Sequence, residues 1–209
     1  MLFTKYDVLD RPVISGICTG TESTHRAALA SQTVFGESRG TALHGYTNVT
    51  YPTSATSSNC LIITYYDNYT WSEQAQVAFS TGDALGLTKS DEIVGLATGT
   101  KTKVLGITTD QWLRSALYYD NKYQVIQSVA ELYPSGKEIV TNLHNFSGEV
   151  TRAKVKQTVG SLVTEYNKYF TYDERGRPLK TEQEITGDNV NGRVTLVESP
   201  DIPTNLDKK

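Results

Sequence analysis

A chain of 209 residues with a net charge of −3 can bury one substantial core or two small ones, and it carries no basic footprint for nucleic acid or an anionic membrane. No apolar run approaches the roughly 20 residues of a membrane span, and the start, MLFTKYDVLD, lacks the basic and apolar stretches of a secretory signal. Thirteen tyrosines against one methionine suit pleated, half-wet surfaces and count against a helical bundle.

The first readable feature is KYDVLDRPVISG, where Tyr6 and Asp7 precede a short gap and Arg11-Pro12. An Asp that heads a turn accepts bonds from backbone amides ahead of it, and the fourth residue needs positive φ. Asp10 takes that fourth place and tolerates left-handed geometry better than most residues. Cys18 and Cys60 stand 42 apart with no metal spacing, so two unpaired, largely buried thiols are the favoured reading and a disulfide the alternative. Residues 23–35 are the best helix candidate, with Ser23 or Thr24 as N-cap. Residues 36–59 are turn-rich and polar and read as a long surface excursion, on which His44 is a surface residue.

IITYYDNYTW contains Tyr66-Asp67 without a following glycine, and residues 71–79 form a weaker helix candidate. From there the pattern is regular. Segments 101–106, 112–119, 124–133, 137–146, 149–159, 161–172 and 177–185 mostly alternate in polarity, as half-wet antiparallel strands do. Tyr119-Asp120 heads one reversal, but Tyr123 holds its glycine place, so that turn is expected to differ in detail. Asn145 and Gly148 frame another, with His144 in the tyrosine position. Tyr172 and Asp173 with Gly176 and Arg177 give the fullest version, a β-hairpin with a bulge. Intervals of 25 residues from Tyr119 to His144 and 28 from His144 to Tyr172 make this a repeat. Arg11 and Arg177 are placed to pair with acids or stack on tyrosine. The chain thus divides into an interrupted repeat region (1–110), regular hairpins (111–198) and a proline-bearing tail or linker (199–209).

Residues that carry chemistry are sparse. His25, His44 and His144 lack metal-ligand spacing, and no cofactor is implied. Glu182 and Glu184 alternate onto one strand face, where paired carboxylates can serve a glycosidase but charges are also commonplace. GTKTKVLG lacks the phosphate-loop pattern. Asn48, Asn68 and Asn145 begin glycosylation sequons that would be idle in a bacterial product. Trp71 and Trp112 are the largest candidate ligand anchors; Trp112 reads more readily as core, while Trp71 is open.

YFTYDERGRPLKTEQ, with FTKYDVLDRPVISG, WLRSALYYDNKYQVIQ and LHNFSGEVTRAKVKQ, resembles the YD-repeat (RHS-repeat) family, including long surface-associated members from Bacteroidetes. The resemblance covers most of residues 1–16 and 93–186, and more loosely 45–70. It implies a mainly β fold, an antiparallel meander of hairpins forming a curved sheet or partial shell, with one or two short helices. It further implies a non-catalytic scaffold segment, not an enzyme, reaching the cell surface or exterior through a larger parent protein and helping to enclose a toxin or other cargo. The expected partners are neighbouring repeats, or a second copy joined by edge-strand pairing. A carbohydrate- or protein-binding β module is the alternative, with a glycan or protein ligand.

Overall fold

The computed structural model describes residues 1–187. Its strands are β1 (Leu2–Tyr6), β2 (Pro12–Ile17), β3 (Arg39–Leu43), β4 (Cys60–Tyr66), β5 (Ala97–Lys103), β6 (Trp112–Tyr119), β7 (Val125–Leu132), β8 (Gly136–His144), β9 (Val150–Val159), β10 (Leu162–Tyr172) and β11 (Pro178–Gly187). One α-helix, α1 (Glu22–Ala30), and three short 3-10 turns complete the described secondary structure. All strands but β3 join one antiparallel sheet in the order β1-β2-β4-β5-β6-β7-β8-β9-β10-β11, and the sheet does not close. The mainly β meander expected from the alternating segments is therefore what the chain forms. The tail 199–209 lies outside the described residues.

The chain divides into two compact units: Met1–Ala78 with Asp91–Leu117, and Phe79–Ser90 with the chain from Tyr118 on. In the first, Val13, Ile14, Ile63, Tyr65, Trp71, Val77, Ile93 and Ala116 make the core. Tyr65 stacks on Trp71 with ring centroids 4.7 Å apart and on Tyr46 at 5.8 Å. Gly99, which pairs with Tyr65 and Ala116, makes room for the indole: a Cβ there would lie 2.7 Å from Trp71 Nε1 and closer still to Cε2 and Cζ2.

In the second unit, Tyr118, Ile126 and Val129 are buried, and Phe79 packs edge-on against Tyr118 at 5.2 Å. The segment Phe79–Ser90 is tied down by polar contacts. Gln127, fully buried, accepts from Ser80 N at 2.7 Å and donates to Ser80 O and Thr141 Oγ1, each at 3.1 Å. Asp83 receives Lys154 at 2.9 Å. Beyond this the sheet is thin. Among the described residues of β8 to β11, Thr141 alone is buried and most others are half-buried on both faces. Cross-strand contacts hold such a layer: Tyr166 donates to Gln157 at 2.7 Å, Tyr172 to Val150 O at 2.9 Å, and Arg152 lies over the Tyr169 ring.

Three expectations are corrected. The helix begins at Glu22, not in the stretch from 23, because Thr21 is its N-cap and accepts from Thr24 N at 3.4 Å. It stops at Ala30, where Ser31 turns its amide and hydroxyl back onto Ala28 O. Residues 36–59 are a surface excursion only in part: Ser38 to Ala42, Val49, Thr53 and Ser54 are exposed, while Glu37, Leu43, Tyr46, Thr50 and Ala55 are buried, the polar ones because they satisfy one another. The weaker helix candidate shrinks to a 3-10 turn, Gln74–Val77.

Candidate functional site

The reversals headed by Asp7, Asp120, Asn145 and Asp173 share one geometry. The head residue's amide donates to the carbonyl four residues on, at 2.9, 3.0, 2.9 and 2.9 Å, and the fourth residue's amide returns to the head carbonyl. Each head Oδ1 accepts from the amide four residues on, at 2.9 Å in every case. Three also accept from the amide two residues on. The fourth residue is left-handed throughout: φ is 59° at Asp10, 64° at Tyr123, 91° at Gly148 and 75° at Gly176. The turn at Tyr123 therefore does not differ, contrary to expectation. The bonds at Asp120 outweigh a left-handed penalty of about 1–2 kcal/mol, and the mostly exposed Tyr123 ring meets no obstacle.

Strand register shifts by one residue at Tyr6, Tyr66, His144 and Tyr172, placing the bulge at the tyrosine position each time. Asp67 explains the missing glycine in its segment. Its amide donates to Leu96 O at 3.0 Å and its Oδ1 accepts from Gly95 N at 2.7 Å, with Gly95 at φ 91°. Gly95 and Leu96 thus stand where a local turn has its glycine and arginine, and residues 68–94 are an insertion into the reversal.

Arg11 joins two of these heads. Its Nε donates to Asp7 Oδ2 at 2.8 Å, its terminal nitrogens to Asp67 at 2.8 and 2.6 Å, and it lies 4.4 Å over the Tyr66 ring. The Arg11 hydrogen bonds hold the Asp67 carboxyl at about 2, below its ordinary 3.8, against the opposing effect of burial. Arg177 makes the same local pair with Asp173 at 2.7 Å but is exposed.

Two further polar clusters were not legible in the sequence. In the first, Lys101 Nζ meets Glu73 Oε2 at 2.6 Å and Arg114 Nε meets the same oxygen at 2.9 Å. Lys101 also reaches His44 Nδ1 at 3.3 Å, and the His44 ring packs on Trp112 at 4.6 Å. His44 is thus not the surface residue expected; burial first, then Lys101, pushes its pKa down to about 4, so the ring is neutral. Both His44 and Glu73 are left-handed, at 52° and 69°.

In the second cluster, Lys5 and Glu37 are 1% and 0% exposed, with Nζ 3.1 Å from Glu37 Oε1. Lys5 also donates to Asn48 Oδ1 at 2.5 Å and Thr50 O at 2.7 Å. Glu37 takes Thr50 N, Thr50 Oγ1, Val49 N and Thr47 Oγ1. Burial alone pushes the Glu37 carboxyl up, but bonds from Thr47, Thr50 and Val49 outweigh it and its pKa falls to about 2.

The candidate anchors Trp71 and Trp112 are both buried, at 6% and 7%, so neither forms an exposed aromatic row; each is enclosed by the packing just described. Trp71 lines a pocket of about 500 Å³ with Arg39, Asn68, Thr70 and Ser72. Cys18 and Cys60 are both free thiols. Glu182 and Glu184 face Tyr169 and Asn167 in the β10–β11 register, with Lys180 2.8 Å from Glu182. Among the described residues no group of three or more His, Cys, Asp or Glu side chains could hold a metal ion. Comparison of the chain with protein-family models, with curated proteins and with solved structures finds no match.

Proposed function

We propose that this chain is a non-catalytic segment of a YD/RHS-repeat wall, a panel of an open β-sheet that continues into neighbouring hairpins and encloses or displays a cargo or toxin domain at the cell surface. The observation that carries the reading is the four-fold recurrence of one Asx-headed reversal, with a related version at Asp67 that residues from far along the chain complete. A second support is the thin sheet of β8 to β11, whose half-buried faces suit a repeat that relies on neighbours for cover. Arg11 over Tyr66 braces the reversals headed by Asp7 and Asp67. The sugar-binding alternative asks for exposed aromatics, and the burial of Trp71 and Trp112 gives it no such row.

Among the described residues β1 and β11 are the edge strands of the sheet, with Glu37 covering only the Tyr6 end of β1, so the isolated chain should pair edge to edge. Size-exclusion chromatography with light scattering tests this: concentration-dependent dimers support a wall panel, and a strict monomer to high concentration argues for a self-contained module. A glycan array read with wild type and Trp71→Ala separates the two readings, since specific binding lost in the variant would favour the alternative.

A further inference from the structure

We propose that Lys5 and Asn48 become joined by an intramolecular amide bond that the folded chain forms by itself, with Glu37 as the proton acceptor. Three chemically complementary groups meet at one buried point: an amine, a carboxamide carbonyl and a carboxylate. Nζ of Lys5 is 2.5 Å from Asn48 Oδ1, and a C=O bond adds about 1.2 Å, so Nζ lies within about 3.7 Å of Cγ. That bound approaches the near-attack range of about 3–3.5 Å between reacting atoms. Asn48 Nδ2 donates to Thr53 O at 2.9 Å and Ala55 O at 3.0 Å, which turns the amide so that its carbonyl faces Lys5.

Glu37 Oε1, 3.1 Å from Nζ, is the carboxylate in contact with that nitrogen. Burial lowers the Lys5 pKa against the raising effect of Glu37, which favours the free amine. The bonds that hold the Glu37 carboxyl at about 2 oppose its taking the proton and make that transfer the slow part of the step. Lys5, Glu37 and Thr50 are each at most 3% exposed and Asn48 is half-buried, so the attacking side of Cγ is shielded by these neighbours.

The step balances without an oxidant or co-reactant. The Lys5 ammonium gives one proton to Glu37, and its freed lone pair forms the Nζ–Cγ bond while the carbonyl π pair moves onto Oδ1. One proton passes from Nζ to Nδ2; the carbonyl reforms, and the Cγ–Nδ2 bond breaks to release ammonia. Ammonia takes the proton held by Glu37 and departs as ammonium. An ammonium and a primary amide become a secondary amide and an ammonium ion, and Glu37 is restored as a carboxylate. The product ties β1 to the loop before β4.

Intact mass under denaturing conditions, with peptide mapping, tests this directly. The full chain should weigh one ammonia less than its sequence, digestion should give a branched peptide joining Lys5 to Asn48, and Lys5→Arg should restore the full mass. Glu37→Gln, in a folded sample, should also restore it. Asn191-Gly192 could lose ammonia by succinimide formation, so a deficit that persists in Lys5→Arg overturns the proposal. An unchanged wild-type mass overturns it too, leaving a hydrogen-bonded ion pair. The wild-type mass and its peptide map decide the matter even where a variant does not fold, since a deficit without the branched Lys5–Asn48 peptide also overturns the proposal.

Discussion

Gly99→Ala should unseat Trp71. The added methyl would fall 2.7 Å from Nε1 and closer to two ring carbons, and the glycine sits mid-strand between Tyr65 and Ala116, where the backbone has little freedom to retreat. Overpacking costs about 1–3 kcal/mol, and an indole pushed off Tyr65 forfeits about 0.5–1.5 kcal/mol of ring contact. Relief from replacing a strand glycine returns about 0.5–1 kcal/mol, leaving a net loss centred on about 2 kcal/mol. At about 2–4 °C per kcal/mol for a chain of this size, Tm should fall by about 4–8 °C, with red-shifted tryptophan emission. A double-mutant cycle sharpens the test. Trp71→Ala alone should cost about 3–5 kcal/mol, and Gly99→Ala on that background should be neutral or better, giving a coupling of about 2 kcal/mol or more. Equal penalties for Gly99→Ala in both backgrounds would refute the steric argument.

Arg11→Met should cost about 2 kcal/mol at neutral pH, because it strips charged hydrogen bonds from Asp7 and Asp67 and a cation from Tyr66. The Asp67 carboxyl is depressed to about 2 in the folded chain, so its contribution is full above about pH 4 and disappears as pH falls through about 2. The gap between wild type and variant in urea titrations should narrow over that window. Gln127→Ala leaves Ser80 and Thr141 without their buried partner and should cost about 2–3 kcal/mol, with faster amide exchange across Phe79–Ser90; unchanged protection there would count against the tether. Tyr123→Val should destabilise by about 1–2 kcal/mol more than Tyr123→Gly does, since a β-branched residue at φ 64° is strained and glycine is not. Equal denaturation midpoints for the two would remove the left-handed geometry from consideration.

What could be read from the chain was what is local. An Asx head bonding its own backbone and a left-handed fourth residue lie within five positions, so the reversals at Asp7, Asn145 and Asp173 were visible. The reversal at Asp67 was obscured because Gly95 and Leu96 complete it from far along the chain. At Tyr123 a propensity counts one residue's strain and not the hydrogen bonds that Asp120 supplies. Within 36–59 the polarity of Glu37 and Thr50 points to the surface; these two are buried because Lys5, far earlier in the sequence, meets them there. The aromatic stack around Trp71 depends on Gly99 for its space, and no periodicity announces that.

The split reversal at Asp67 leaves the two stems of a long insertion fastened side by side, with Asp67 N 3.0 Å from Leu96 O and Arg11 gripping the carboxylate from outside. The segment between the stems is no free loop, since it carries Trp71, Val77 and Ile93 into the core and Ser80 to Gln127. Closing the stems at Asp67 and Leu96 lets a stretch far along the chain deliver these side chains while the β4–β5 ladder keeps its pairing.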